Sequence, residues 1–309
     1  MKKRIVAIAL VLALFVCAVP ASALTYLYIA TGGSQGTYHS LGGEFARLIN
    51  NRINLVIASA HRTGGSDENI NLINLDEMDL ALVQNDAANR AFLDEGGYNF
   101  SILGNLYPEV VQVVSRKEDG LETVADLSGK RISIGAEGSG VNQNAYDFLE
   151  GAGLSADDIE VHMLSFAESM RALDENEIDA AFVTAGIANP GIYELAQKRE
   201  LVLMSLTDTV LDAITAEHPY YQRFVIPEGT YQGQDAPAVS LNVSALLIAQ
   251  NNVTEAMAYQ VTKLIYERAA ELTHEKRSDI RIDNALNGFD FVHLHPGAAK
   301  FYKELGIIE

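Results

Sequence analysis

Tyr26-Leu-Tyr-Ile-Ala30 runs directly into Thr31-Gly-Gly-Ser-Gln-Gly36-Thr37, and much of the fold follows from this junction. The first five residues are mainly apolar and lead into a glycine-rich loop, which predicts a strand. The residues after the loop predict a helix whose inner face carries Leu41, Phe45, Leu48 and Ile49. Glycine lets a ligand approach the backbone closely, and a helix start leaves amide donors free for an anion.

The same pattern recurs in both halves of the chain. Further strands are predicted at residues 55–58, 80–83, 131–134, 161–164 and 180–183, with amphipathic helices between them, which indicates a parallel α/β architecture. Gly151 is expected to be a helix C-cap, Ser165-Phe-Ala-Glu168 predicts a capping box, and Asn189-Pro190 predicts the start of another helix. Small and hydroxylated residues follow these strands in the loops at 31–37, 62–66, 84–86, 135–140 and 184–186. One such loop would be an ordinary turn. Several in two similar series favour a ligand site at the carboxyl edge of the strands.

Two extended segments divide the chain into two predicted lobes. Residues 110–114 lead into the polar break Arg116-Lys-Glu-Asp-Gly120, and residues 238–249 form a second extended run. One strand leading out and one leading back make the first lobe discontinuous. We therefore predict lobe I over residues 24–114 and 237–309, lobe II over residues 115–236, and a two-strand hinge in a clamshell. A long helix at about 253–274 is predicted to brace the hinge.

The first residues predict export. Met1-Lys-Lys-Arg4 is basic, residues 5–16 form an unbroken apolar run, and Ala21-Ser-Ala23 fits a signal-peptidase site. We therefore predict a signal peptide over residues 1–23, cleavage after Ala23, and a periplasmic mature protein. A lipid anchor at Cys17 is the alternative, although the preceding Val16 is larger than a lipobox favours.

Charge and composition exclude several classes of partner. The chain carries a formal charge of −19, and without the three basic residues of the leader 19 Lys and Arg stand against 41 Asp and Glu, or −22. This excess repels nucleic acid and anionic lipid, so local donors must hold any anionic ligand. Removal of Cys17 leaves the mature chain without disulfides, cysteine–zinc sites or a thiol nucleophile.

One motif resembles a catalytic site. Gly32-Gly-Ser-Gln-Gly36 matches the nucleophile elbow G-x-S-x-G, and Asp290 and His293 follow in the chain order of a triad. An elbow serine follows a central strand, whereas Ser34 follows the first strand after the predicted cleavage site. A secreted serine hydrolase using Ser34 is therefore the disfavoured alternative.

Cofactor and metal motifs are weaker still. The first loop lacks the G-x-G-x-x-G spacing of dinucleotide sites, and the sequence contains no P-loop. His293-Leu-His295 has no third ligand nearby, which is more typical of packed or solvated histidines than of a metal site. We predict that the protein is not an enzyme and uses no cofactor or metal.

Four ordered segments carry a resemblance to a known family. They are Ile29-Ala-Thr-Gly-Gly-Ser-Gln-Gly-Thr-Tyr-His-Ser-Leu-Gly-Gly43, Thr63-Gly-Gly-Ser-Asp-Glu-Asn-Ile70 with Asp79-Leu-Ala-Leu-Val-Gln84, Gly135-Ala-Glu-Gly-Ser-Gly140, and Ile226-Pro-Glu-Gly-Thr-Tyr231. Over essentially the whole mature chain the sequence resembles the TAXI family, the solute receptors of tripartite ATP-independent periplasmic (TRAP) transporters. It departs from the family at His39, where a second tyrosine is usual, and this departure leaves the ligand's identity open.

The resemblance implies a type II periplasmic-binding-protein clamshell that delivers a small carboxylate or amino acid to a two-part TRAP permease driven by an ion gradient. Glutamate or a related dicarboxylate is the best candidate ligand, and a ligand-binding input for a membrane sensor is the alternative role. We expect a monomer. The ligand-binding residues implied are Ser34, Gly36, Thr37, Tyr38, Thr63, Gly64, Gly65, Ser66, Gln84, Asp86, Ser139, Gly140, Val141, Ala185 and Gly186. Arg62 joins them on physical grounds, as a cation beside loop amides that suit a carboxylate.

Overall fold

The structure is a computed structural model that describes residues 24–93, 97–289 and 293–309. The predicted signal peptide, with its cleavage site and Cys17, lies outside the described residues, as does Asp290. Among the described residues, no helix is both long enough and apolar enough to cross a membrane.

The chain begins with three strand–helix units. They comprise β1 (Thr25–Ala30), α1 (Thr37–Arg52), β2 (Val56–His61), α2 (Ser66–Asn74), β3 (Leu80–Gln84) and α3 (Asn85–Leu93). The three strands are parallel and stand in the order β2-β1-β3. All four predicted inner-face residues of α1 are buried, as the helical spacing of the apolar positions requires.

Two long strands run through the middle of the molecule. β4 (Phe100–Arg116) and β10 (Ala238–Gln250) are antiparallel neighbours, paired from Phe100 opposite Gln250 to Val110 opposite Asn242. β10 also pairs with β3, and β4 continues into the second series of strands. The full sheet therefore has the order β2-β1-β3-β10-β4-β7-β5-β6, with β8 on β4 and β9 on β10.

The remaining elements complete both halves. The second series comprises β5 (Arg131–Ser133), α4 (Val141–Gly151), β6 (Glu160–His162), α5 (Phe166–Asp174), β7 (Ala180–Ala185), α6 (Pro190–Ala196), β8 (Leu201–Leu203), α7 (Asp208–Glu217) and β9 (Gln222–Ile226). After β10, α8 (Glu255–Glu267) and α9 (Pro296–Glu304) return to the first half. Each predicted strand overlaps an observed one, and the predicted α/β clamshell is confirmed.

The hydrophobic core divides partway along the two long strands. On β4, Leu106 and Tyr107 pack with the core of the first half, whereas Val111 and Val113 pack with that of the second. On β10 the same division falls between Val243 and Ala245. The lobe boundaries stay a prediction, and we propose that they fall near residues 109 and 244 because side chains change cores there.

Several local expectations can be compared with the structure. Ser165 and Glu168 form the predicted capping box of α5, and Asn189 caps α6 with Pro190 in its first turn. Gly151 is not the C-cap of α4, which is Ala152; a side chain at 151 would instead strike Ile214 of α7. The predicted long helix ends at Glu267 and packs into the core of the first half, where Tyr266 donates to the carbonyl of Asn105 on β4. That it braces the hinge stays a prediction.

Neighbouring glycines in α1 provide a test of this packing. A Cβ at Gly42 would press on Thr31 Cγ2 beneath the helix, whereas one at Gly43 would meet no atom within 4 Å. Alanine gains about 1 kcal/mol of helix propensity at either site, but overpacking costs about 1–3 kcal/mol. Urea unfolding should show Gly42→Ala destabilised and Gly43→Ala stabilised. Equal shifts in both variants would contradict the close packing of α1 on β1.

Candidate functional site

The carboxyl ends of the parallel strands in both halves meet at the same point of the long strands. In the first half, Gln84 at the end of β3 lies opposite Ala245, which in turn lies opposite Tyr107 of β4. In the second half, Ala185 at the end of β7 lies opposite Val110. Because β7 runs antiparallel to β4, the loops that follow the two sets of strands face each other across the middle of the molecule.

A cavity of about 410 Å³ lies between these loops. Twelve of the sixteen predicted ligand-binding residues line it, namely Gly36, Thr37, Tyr38, Arg62, Thr63, Gly64, Gly65, Ser66, Gln84, Ser139, Gly140 and Val141. Its size is within the range of small-molecule sites. The structure therefore brings together residues from three loops of the first half and one of the second.

Three helices begin at this cavity without a capping side chain. Gly36, Gly65 and Gly140 are the N-cap residues of α1, α2 and α4, all three line the cavity, and no side-chain cap bond is present at any of them in the described chain. The first amide groups of a helix have no partner within the helix, and together they favour an anion. These helix starts can therefore supply hydrogen-bond donors to a negatively charged group.

Two buried polar atoms in the cavity wall have no partner among the described residues. Ser139 Oγ and Gln84 Oε1 are both unsatisfied, although their residues are only 5% and 3% exposed. A buried polar group without a hydrogen bond costs free energy, so we expect a bound ligand or water to supply the missing hydrogen bonds of these two atoms. Arg62 lies at the same cavity but is exposed, so its charge is screened by solvent.

The cavity also contains a buried carboxylate that the sequence analysis missed. Glu109 of β4 is 2% exposed, and its two oxygens accept hydrogen bonds from the hydroxyls of Tyr38 (2.5 Å) and Tyr107 (2.9 Å). Burial raises the pKa of Glu109 to about 8, although both tyrosine bonds oppose the shift. The available signal was a single acidic residue next to the predicted strand at 110–114.

Other cavity residues were also missed. They are Gly32, Gly33, Glu68, Ala136, Ser165, Phe166, Glu168 and Thr184. Gly32, Gly33, Ala136 and Thr184 lie in loops that were predicted to form the site, so those loops were located but not all of their members. Ser165 and Phe166 follow β6, where the sequence predicted a capping box but no contribution to the ligand site.

Four predicted residues lie outside the cavity lining. Ser34 is exposed in the turn before α1, and Ala185 is buried within β7. Asp86 is fully buried and accepts hydrogen bonds from Arg90 (2.8 Å) and from the side-chain amide of Asn144 on α4. The backbone amide of Gly186 donates to the Thr37 hydroxyl. Asp86 and Gly186 thus form hydrogen bonds across the cleft, which makes them closing contacts rather than parts of the cavity wall.

The two halves are closed on each other. Hydrogen bonds cross the cleft from Glu68 N to Gly138 O (3.0 Å), from Asn189 Nδ2 to Gln35 O (3.0 Å), from Gly186 N to Thr37 Oγ1 (3.2 Å) and from Asn144 Nδ2 to Asp86 Oδ2 (3.1 Å). Glycine makes the contact possible, because a side chain at Gly64 would strike the carbonyl oxygen of Glu137. The cavity is therefore bounded by backbone from both halves.

The residues of the elbow motif are not arranged for catalysis. Ser34 follows the carboxyl end of β1, whereas the backbone of His293 bonds to Ile102 near the amino end of β4, at the opposite edge of the sheet. His295 is the N-cap of α9, with Nδ1 accepting from Gly297 N (3.2 Å). These positions give the hydrolase alternative no support.

With this geometry established, sequence comparison identifies the family. Residues 29–306 match the family model described as NMT1-like. The chain belongs to the NMT1-like family.

Solved structures share the fold of this NMT1-like protein at low identity. A Bordetella bronchiseptica protein is 17% identical with a TM-score of 0.58, covering 92% of this chain and 81% of its own. PhnD1 of Prochlorococcus marinus, solved with methylphosphonate, is 12% identical with a TM-score of 0.56, covering 92% and 99%. A putative L-cystine ABC transporter protein of Listeria monocytogenes is 11% identical with a TM-score of 0.54, covering 86% and 100%.

Glu109 should give the ligand-free protein a distinctive pH dependence. A folded-state pKa of about 8, above the ordinary 4.5, means that stability is fully present below pH 4.5 and is lost as the pH rises through about 8. The loss is about 1.4 kcal/mol per pH unit within that window. Glu109→Gln should remove the contribution of Glu109 to the decrease in unfolding free energy with rising pH. Urea unfolding of both proteins at about pH 5, 6.5 and 8 tests it, and identical slopes would show that Glu109 does not titrate as described.

Proposed function

We propose that this protein is an extracytoplasmic receptor that encloses a small anionic solute between its two lobes and passes it to a membrane permease. The observation that carries the proposal is the cavity between the two halves where three helices begin at glycine, with the unsatisfied hydroxyl of Ser139 in its wall. Oriented amides of this kind hold an anion by short-range contacts. Such contacts are required because the chain carries a formal charge of −19.

The proposed ligand is a small carboxylate or amino acid, with glutamate or a related dicarboxylate as the first candidate. A cavity of about 410 Å³ suits a molecule of that size. Separate donor groups on α1, α2 and α4 would bind more than one oxygen of such a ligand. Mass spectrometry of solute retained by protein purified gently from the periplasm tests this assignment directly.

The proposed transporter is of the TRAP type, supported by the four ordered segments that resemble TAXI receptors. The Listeria monocytogenes neighbour, in contrast, is described as belonging to an ABC transporter. The two classes differ in energy source, so uptake by membrane vesicles with the cognate permease separates them. We expect uptake to follow an imposed ion gradient and to be insensitive to ATP, whereas strict ATP dependence would favour the ABC class. Binding without any uptake would favour the sensor role.

Ser139 and Ser34 form a matched pair for testing the site. Ser139 Oγ is buried at the cavity without a partner in the described chain, whereas Ser34 is exposed and outside the lining. A hydrogen bond to a charged group contributes about 1.5–3 kcal/mol, so Ser139→Ala should weaken binding of the retained solute by about ten- to a hundredfold. Ser34→Ala should leave it unchanged. Calorimetry measures the affinity of both variants for the solute. Equal affinities in the two variants would show that Ser139 does not contact the ligand.

Closure can be tested at glycine. Alanine at Gly64 would strike Glu137 across the cleft, whereas alanine at the cavity residue Gly33 would meet no atom within 4 Å. We expect Gly64→Ala to weaken solute binding at least tenfold and to blunt the decrease in radius of gyration on binding. Gly33→Ala should retain both properties, because a ligand stabilises the closed form only through contacts that this form provides. Full compaction of Gly64→Ala would argue against closure by this contact.

A further inference from the structure

Glu109 occupies an unusual position in the cavity. It lies on β4 opposite Val243, at the point where the long strands pass from one core to the other, and it lines the cavity while being 2% exposed. A carboxylate is rarely buried unless it is paired. Its carboxyl group is therefore built into the binding site rather than present as a solvated surface charge.

The protein supplies hydroxyl donors to Glu109 but no close cation. Tyr38 donates to one carboxylate oxygen and Tyr107 to the other, and burial raises the pKa of both hydroxyls so that they remain donors. A carboxylate has about four acceptor positions, so two bonds leave capacity for further donors. Among the described residues, no lysine, arginine or histidine side chain is paired with Glu109.

The charged groups around Glu109 do not replace that cation. Lys276 favours the ionised form, but its ammonium group donates to the carbonyl of Ile187 and lies 4.0 Å from Asp279. Asp86 opposes ionisation, and the other carboxylates of the cavity, Glu68 and Glu168, add negative charge. Arg62 is exposed and is the one basic residue of the cavity lining.

Gln84 places a second hydrogen-bond acceptor near Glu109. Leu80 and Leu82 of β3 belong to the same hydrophobic core as Tyr107 of β4. Side chains alternate between the two faces along a strand, so Gln84 and Glu109 lie on the same face of the sheet, two strands apart. Gln84 Oε1 has no donor in the described chain. The cavity thus has unfilled acceptors on the sheet and unfilled donors at the helix starts.

We infer that Glu109 binds the protonated amino group of the ligand, while the amides of α1, α2 and α4 bind its carboxylate. The ligand class is then an amino acid or another amine-bearing carboxylate, and amine-free dicarboxylates are discriminated against. An ammonium group supplies the missing positive charge and has donors to spare. This inference rests on the proposed receptor function and narrows its ligand.

Recognition of this kind is linked to a proton. With a pKa of about 8, Glu109 is about nine-tenths protonated at pH 7 in the free protein. An ammonium ligand requires the ionised form, so binding releases about 0.9 proton at pH 7. Affinity should rise about fiftyfold between pH 6 and pH 8 as the ionised fraction grows. A ligand without an amine would give no release, because it binds the protonated carboxyl.

The test compares L-glutamate with 2-oxoglutarate, which has the same two carboxylates but no amine, and then the other amino acids with their 2-oxo acids. Calorimetry in buffers of different ionisation enthalpy counts protons in the wild-type protein. We expect amino-acid binding with release of about 0.9 proton and at least tenfold weaker binding of the 2-oxo acid. Glu109→Gln should weaken amino-acid binding by about ten- to a hundredfold and abolish the release.

Glu77→Gln is the matched control, since it makes the same charge change at an exposed residue outside the cavity lining. It should preserve both affinity and proton release. Equal or tighter binding of a 2-oxo acid without proton release would overturn the inference and leave the receptor function standing. If neither amino acids nor 2-oxo acids bound, both the inference and the proposed receptor function would be overturned. The wild-type proton count is decisive even if Glu109→Gln does not fold.

Discussion

The antiparallel pairing of β4 with β10 is the constraint on which the site depends. Each strand is long enough to enter both cores, so the two halves are joined by the sheet itself rather than by a flexible linker. Pairing fixes the direction of every neighbour. β3 and β7 run toward the crossing from opposite sides, and their carboxyl ends must meet there. The cleft is a consequence of strand direction, and its loops then determine what it binds.

The sequence predicted those features that depend on local pattern. Alternating strands and amphipathic helices, the capping box at Ser165 and the cap at Asn189 all follow from spacing along the chain. The glycine-rich loops were assigned to one sheet edge because parallel strands share their carboxyl edge. Twelve of sixteen site residues line the cavity for that reason. Whether they contact ligand remains a prediction.

Long-range contacts set the limit of such reasoning. Asp86 stands at the predicted edge, yet Arg90, one helical turn later, and Asn144 of α4 satisfy one of its oxygens. Asn144 is 58 residues away in the chain, and its contact with Asp86 could not be inferred from spacing. Glu109 was overlooked because one of its partners is remote in the sequence. Tyr38 lies 71 residues earlier in the chain and reaches Glu109 only when α1 packs on the sheet. Gly151 looked like a helix cap, but its small size serves the approach of α7.

The helix caps show how stability and binding are divided within the fold. Five helices begin at Ser165, Asn189, Thr207, Thr254 and His295, and each of these side chains accepts a hydrogen bond from its own helix. A side-chain cap contributes about 1 kcal/mol of stability, but it also occupies the amide groups that could bind a ligand. At α1, α2 and α4 glycine stands in that position, and glycine is nearly as good a cap while placing no capping side chain on the first amides. α5 also borders the cavity, but Ser165 and Glu168 satisfy its first turn, so its amides contribute less. Closure takes up one amide of α2, because Glu68 N donates to Gly138 O across the cleft, and we propose that other first-turn amides of the three helices that begin at glycine bind a ligand anion.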